Sequence, residues 1–262
     1  MERTLAHVSD LHVGRDAMTD EATGRLVAAL VAAGVDEVLV TGDVTHRGRG
    51  AELAAFERLF APLAARLVVV PGNHDRMGDD VGARIMRGAR VQVERRPGLH
   101  VVRLDSTAPH NRSALDSHGV LARDDVARLE EAIDAASPGS LVVVMLHHHL
   151  HRLPGDHLGE RLVTWLGRPW AAEVRGGRDV LERLRGRCDL VLHGHRHAAS
   201  ELVLLPRRGR ALHVLNAGCS PELGAVRVVR HAGGRFLSEG WLEAAPALRR
   251  AASPAAAQPA AA

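Results

Sequence analysis

The sequence predicts an α/β fold. Three observations carry that expectation. Short apolar segments alternate with amphipathic ones from residue 4 to residue 192. Five of the apolar segments end in a loop bearing Asp, Asn or His. A β-rich stretch, from about 201 to 243, closes the chain.

Residues 4–8 read as a strand that delivers Ser9 and Asp10 to its C-terminal end. Residues 20–33 carry a helical apolar stripe of Leu26, Val27, Leu30 and Val31, stopped by Gly34. A strand at 35–40 leads into Thr41-Gly42-Asp43, a helix covers about 50–65, and a buried strand at 67–70 ends at Pro71-Gly72. Strands near 91–94 and 100–105 precede a helix near 122–136. The buried strand 141–146 runs into His147-His148-His149. After a polar, Gly- and Pro-rich stretch (152–177), a helix at about 178–185 precedes strand 190–192, which leads into His193-Gly194-His195-Arg196-His197. Four strands follow, at 202–205, 212–215, 226–229 and 236–242. The spacing thus predicts one domain over 1–243 and a disordered Ala/Pro-rich tail over 244–262. In open α/β sheets ligands bind outside the carboxyl ends of strands, so five such tips on one edge make a single polar pocket.

Composition narrows the function. With 262 residues, 46% of them hydrophobic, the chain can bury a sizeable core. No apolar run is long enough to span a bilayer and no signal-peptide pattern opens the chain, so it reads as cytoplasmic with no membrane partner. Cys188 and Cys219 lie outside any Cys-x-x-Cys pair and read as reduced, partly buried thiols. The pI of about 9.9 suggests nucleic acid at first sight. Yet all 34 basic side chains are Arg, they are interspersed with acidic residues, and aromatic stacking partners amount to 2%. Nucleic acid is left open as a partner without being indicated.

The loop residues are of metal-binding types. Asp10 and His12 stand two positions apart, so in extended backbone both can face one ion, and His195 and His197 share that spacing. Asp43 follows Gly42, whose missing side chain lets backbone approach closely. Gly72-Asn73-His74-Asp75 offers an amide oxygen, an imidazole and a carboxylate, and His147 sits at a strand tip. This oxygen and nitrogen set without sulfur suits Mn, Fe or Zn better than Ca. Asp10, His12, Asp43, Asn73, His147, His195 and His197 are too many ligands for one tetrahedral zinc and suit two divalent or mixed-valence ions sharing a carboxylate. Two ions about 3.5–4 Å apart can bind a phosphoryl oxygen and hold a hydroxide for in-line attack. The leaving alkoxide then needs a proton, and His74 is placed to give it. A small-molecule phosphoester is the substrate these types suggest.

The runs His7-Val8-Ser9-Asp10-Leu11-His12-Val13-Gly14, Gly42-Asp43-Val44-Thr45-His46-Arg47-Gly48, Gly72-Asn73-His74-Asp75, His147 and Gly194-His195-Arg196-His197 resemble, in order, the calcineurin-like metallophosphoesterase superfamily. The resemblance covers residues 7–197 and implies a four-layer α-β-β-α sandwich of two mixed β-sheets flanked by helices. It implies that Asp10, His12 and His197 hold one ion, that Asn73, His147 and His195 hold the other, and that Asp43 bridges both. His74 becomes the general acid or transition-state stabiliser, with Asp75 as its outer partner. The family commonly has a proline two residues after the metal histidine, which this chain lacks, so His148 stays open as the alternative to His147.

Leu104-Asp105-Ser106-Thr107, Gly119-Val120-Leu121 and Asn216-Ala217-Gly218 resemble the class III cyclic-nucleotide and glycerophosphodiester phosphodiesterase branch, although Cys219 stands where that branch often has Ser. Hydrolysis of a phosphodiester is the activity implied. A phosphomonoesterase and a DNA-processing nuclease share the motifs. A non-catalytic metal-binding scaffold, the alternative of another class, typically lacks His74 or several of the ligands, all present here. His46 and Arg47 either touch a substrate phosphate or lie in a solvated loop. His100, His110, His118, His157, His213 and His231 read as structural or solvated. Arg207-Arg208-Gly209-Arg210 reads as an exposed hairpin turn, and His151, Asp156 and His157 as part of a loop that could cover the site.

Overall fold

A computed structural model describes residues 1–113, 116–152, 173–206 and 209–244. Its strands form two mixed sheets, and the helices flank them. The first sheet holds β1 (Arg3–Val8), β2 (Glu37–Thr41), β3 (Leu67–Val70), β10 (Ala225–Ala232) and β11 (Arg235–Glu243) in the order β11-β10-β1-β2-β3. The second holds β4 (Val91–Arg96), β5 (Leu99–Leu104), β6 (Leu141–Met145), β7 (Leu190–His193), β8 (Ser200–Leu204) and β9 (Leu212–Asn216) in the order β4-β5-β6-β7-β9-β8. Strands β1, β2 and β3 run parallel, as do β5, β6, β7 and β9; the outer strands β10, β11, β4 and β8 pair antiparallel.

The four layers follow from the period-2 alternation of side chains along strands that are apolar on both faces. In β6, Leu141, Val143 and Met145 point into the core between the sheets. Val142 and Val144 point the other way, into the core shared with α4 (Arg123–Asp134) and α5 (Gly177–Leu184). In β1, Leu5 joins the core between the sheets, whereas Ala6 and Val8 pack beneath α1 (Ala17–Ala33) and α2 (Gly50–Leu59). Helix α1 starts where Asp16 accepts a hydrogen bond from Thr19 N at 2.8 Å, and it stops at Gly34 in the left-handed conformation (φ 63).

Two expectations need adjustment. The helix expected over 50–65 divides into α2 and a 3-10 turn (Ala61–Arg66), because Pro62 has no N–H for a helical bond and crowds the preceding turn. The five tips lie on the edges of two sheets, not one, and those edges meet. Two short helices escaped the sequence reading, α3 (Gly82–Ile85) and α6 (Ser220–Leu223); four residues are too few to show a period. Ala244, placed in the tail, still donates to Gly224 O at 2.8 Å; residues 245–262, and with them the expected disorder, lie outside the described residues. So do Asp156, His157, Arg207 and Arg208. Arg210 is anchored, donating to Asp189 Oδ2 at 2.7 Å. His100 is structural as expected, buried and donating to Ala132 O at 2.8 Å. Among the described residues no helix is long and apolar enough to cross a membrane.

The core between the sheets sets how firmly the tips are held together. Leu141→Ala, at a fully buried position there, is expected to lower stability by about 2–5 kcal/mol, read as a fall in the urea midpoint.

Candidate metal centre

Each strand tip turns sharply, and the turns lock the two sheets together. Asp10 N donates to Gly42 O at 3.2 Å and His12 N to Asp43 O at 2.9 Å, so the loops after β1 and β2 run side by side. Across the seam, His147 Nδ1 donates to Thr41 O at 2.7 Å, and His195 N donates to Asp10 Oδ2 at 3.1 Å. Asp10, His12, Asp43, His195 and His197 all have positive φ, between 46° and 74°. Non-glycine residues adopt that region at a cost of about 1–3 kcal/mol each, and such strain gathers at functional sites. Gly42 (φ 88) has to be glycine for a second reason: a Cβ there would lie 2.6 Å from His147 Nδ1.

The structure brings all seven expected ligands together, in two groups around one carboxylate. In the first group, His197 Nε2 lies 3.1 Å from His12 Nε2 and 3.6 Å from Asp10 Oδ1. In the second, Asn73 Oδ1 lies 3.1 Å from His147 Nε2 and 3.0 Å from His195 Nδ1. Asp43 sits between them, with Oδ2 3.8 Å from His12 Nε2 and 3.4 Å from His147 Nε2.

This donor set fits cations. His147 gives its Nδ1 hydrogen to Thr41, so Nε2 directs a lone pair at two oxygens, Asn73 Oδ1 and Asp43 Oδ2, unless a proton or a metal ion stands between. Two imidazole Nε2 atoms, of His12 and His197, face each other at 3.1 Å, close enough for one ring to donate to the other or for both to hold one ion. His12 Nδ1 and His195 Nε2 are buried without a partner among the described residues.

The ionisation of the metal-free site reflects this. Burial pushes the Asp10 carboxyl up to about 6, against the pull of His147 and His197. Burial would raise Asp43 as well, but His147 and His74 outweigh it and hold its carboxyl well below the usual range. For His147, burial opposes the charge, and Asp43 nevertheless pushes it up to about 9. Burial pushes His12 down to about 3.

The neighbours of the ligands divide into distinct duties. His74 N donates to Asp43 Oδ1 at 2.9 Å and its Nδ1 donates to His46 O at 2.7 Å, which leaves Nε2 as its free nitrogen. Its ring lies 4.6 Å from that of His12. Asp75, expected as the outer partner of His74, makes no hydrogen bond to that ring. Its buried carboxylate accepts from Thr45 Oγ1 (2.7 Å), Thr45 N (2.9 Å), Gly72 N (2.9 Å) and Val44 N (3.2 Å), which makes it a brace between the loops after β2 and β3. His148 has both ring nitrogens engaged, Nδ1 with Ser106 Oγ at 2.8 Å and Nε2 with Ser117 O at 2.8 Å. His46 lies beside the site, its ring 5.9 Å from that of His12 and 5.7 Å from that of His74.

The family model for calcineurin-like phosphoesterases matches residues 3–199. The chain belongs to that family. It is a metal-dependent phosphoric ester hydrolase. Among relatives, a probable cyclic nucleotide phosphodiesterase of Vesicomyosocius okutanii is 23% identical over 206 residues, 77% of this chain and 81% of its own length. A cAMP/cGMP dual specificity phosphodiesterase of Mycobacterium tuberculosis is 28% identical over 236 residues, 82% of this chain and 67% of its own. The 3',5'-cyclic adenosine monophosphate phosphodiesterase CpdA of Pseudomonas aeruginosa is 36% identical over 115 residues, 44% and 40% of the two chains. The fold matches that of a dimetal phosphatase from Danio rerio with a TM-score of 0.60 at 14% identity, covering 93% of this chain and 99% of that one. A purple acid phosphatase from yellow lupin gives 0.56 at 10% identity, covering 93% and 54%.

Several supports of this phosphoesterase's site went unread in the sequence. Ser106, noted only as part of a branch motif, holds His148, and a Cβ at Gly119 would lie 2.6 Å from His148 Cβ. Asp105 and Thr107 hold Arg76, next to Asp75. Asn216 Nδ2 donates to Gly194 O at 3.2 Å, and Cys219 Sγ to Asp10 O at 3.2 Å. Their place within the branch motifs, from Leu104 to Thr107, at Gly119 and from Asn216 to Cys219, was the signal that could have singled them out.

The pH dependence of the metal-free protein follows with a definite sign. His147 is raised from 6.5 to about 9 in the fold, so its contribution is full below pH 6.5 and is lost as pH rises through 9. His12, shifted to about 3, has finished titrating below that window, and Asp10, at about 6, completes its titration at the window's lower edge. The urea midpoint of metal-free protein is expected to fall between pH 6.5 and 9, and His147→Gln should remove that slope.

Proposed function

We propose that this phosphoesterase uses two metal ions to hydrolyse a phosphodiester, a cyclic nucleotide being the substrate, and that it does so in the cytoplasm. The observation that carries the reading is the pair of ligand groups sharing Asp43, with the free nitrogen of His74 beside them. The relatives named cyclic nucleotide phosphodiesterases support the substrate class.

Asp10, His12 and His197 would hold one ion, Asn73, His147 and His195 the other, and Asp43 both. Mn, Fe or Zn suit this mixture of imidazole, amide and carboxylate. Bound there, such ions supply Lewis acidity toward the phosphoryl oxygens and a water-derived nucleophile at neutral pH.

The protein's own groups do the rest. The Nδ1 hydrogen of His74 is committed to His46 O, so protonation charges Nε2 and makes it the donor to the departing ester oxygen. Asp43 Oδ1 fixes His74 through its backbone N–H, so the proton donor and the shared ligand keep one register. Asp75 keeps the loops after β2 and β3 together, and His148, with both nitrogens engaged, backs His147.

The test is turnover by metal-loaded protein of cAMP, a glycerophosphodiester, p-nitrophenyl phosphate and single-stranded DNA, with metal content measured on the same sample. Cyclic AMP should be the best substrate; fast DNA cleavage without cAMP turnover would overturn the substrate assignment. His74→Ala should keep both ions and lose roughly 10²–10⁴-fold in turnover of a diester with a poor leaving group. Unchanged turnover would remove His74 from the mechanism.

A further inference from the structure

His197 differs from the other six residues of the centre. Its side chain is 38% exposed, whereas those of Asp10, His12, Asp43 and His147 are almost fully buried. Packing therefore does less to orient it, and its backbone (φ 51) is strained. Something else has to aim the ring. On the inner side Nε2 faces His12 and Asp10. On the outer side Nδ1 lies 3.8 Å from Glu222 Oε2, an ion-pair distance that a small rotation of either side chain closes to a hydrogen bond.

Glu222 is itself held. Its Oε1 accepts from Arg15 Nη1 at 2.7 Å. Arg15 Nε donates to Thr19 Oγ1 at 3.0 Å and to Asp16 Oδ2 at 3.2 Å, at the start of α1. The short helix α6 that carries Glu222 is pinned to the tip of β1: Ser9 N donates to Ser220 Oγ, and Ser220 N to Ser9 O, both at 3.1 Å. Glu222 is thereby referenced to the strand tip that presents Asp10.

We propose that Glu222, held by Arg15, is the positioning residue of His197, orienting its imidazole and strengthening Nε2 as a donor to one metal ion. The proposal rests on the ligand assignment above. A carboxylate on the far nitrogen of a metal-bound histidine fixes ring orientation and raises ligand basicity, and its loss typically costs 10–100-fold in metal affinity.

The experiment is titration of metal-free protein with Mn²⁺, followed by calorimetry and by EPR of the bound ion. Wild type should bind two ions. Glu222→Gln should weaken one of the two steps by about 10–100-fold, leave the other within about twofold, and alter the EPR signal of the weakened site. His197→Ala should abolish that same step, and Glu222→Asp should restore part of it. Arg15→Gln should weaken it less, and should add nothing in a Glu222→Gln background, as two residues acting through one contact require. Thermal unfolding of the metal-free variants shows whether the fold is kept. Should Glu222→Gln lower it, Arg15→Gln, at an exposed position, carries the same reading. Loss of one step in His197→Ala with normal binding in Glu222→Gln and Arg15→Gln overturns this proposal and leaves the ligand assignment standing. Normal binding in His197→Ala overturns the ligand assignment as well.

Discussion

Two buried carboxylates, Asp10 and Asp43, stand among imidazoles at the seam of two sheets, and the rest of the centre is organised around them. Isolated ionised carboxylates cannot be buried cheaply; they neutralise, pair or bind a cation. Here the first two solutions are in use. Asp10 takes two hydrogen-bond contacts from His195 N and is pushed up toward neutrality. Asp43 takes the His74 N–H and the charge of His147. To bring these groups within reach, five of the seven ligand positions adopt left-handed backbone, and among the described residues Asp80 is the one other non-glycine residue that does. Such strain persists where the surroundings over-determine it. The bonds from His147 to Thr41, His195 to Asp10 and Ser9 to Thr41 supply that determination.

The fold was legible because its strands are apolar on both faces. Segments such as 141–145 could only be strands covered by two layers, and the sequence showed the helices to cover them. The ligand types were legible because metal chemistry demands them at strand ends. What could not be read was anything that joins distant residues. Arg15 and Glu222 lie 207 positions apart, and neither is unusual on its own. What separates His147 from His148 is their partners: Ser106 and Ser117 engage both nitrogens of His148, whereas His147 keeps Nε2 toward Asn73 and Asp43. Asp75 looked like a partner of His74 because it follows it in sequence. Its side chain instead reaches back to the β2 loop, a direction set by the 3-10 turn His74–Arg76.

Relatives at 10–14% identity share the fold, so little of the sequence is needed to specify it. The residues that most constrain this chain are those at the seam. A Cβ at Gly42 would strike His147, and one at Gly194 would run into Ser9 and Asp10. Backbone spacing between the sheets and metal-ligand spacing are therefore one requirement. The branch motifs around Ser106 and Asn216 belong to the same requirement, since they hold His148 and Gly194. Specificity for one phosphoester over another falls to groups at the rim, where His46 and His74 are partly buried and His197 is exposed.

The same electrostatics couples folding to metal loading. In the metal-free protein the Asp43 carboxylate, 3.4 Å from His147 Nε2, favours the protonated imidazole and pushes it up to about 9. A divalent ion held by His147 and Asp43 would take the place of that proton, so loading would release protons and its affinity would rise with pH over the range in which His147 loses its charge. An ion that binds the folded seam and not the unfolded chain also adds its binding free energy to stability. The left-handed turns and the crowded imidazoles, costly in the metal-free state, are the geometry that such an ion repays.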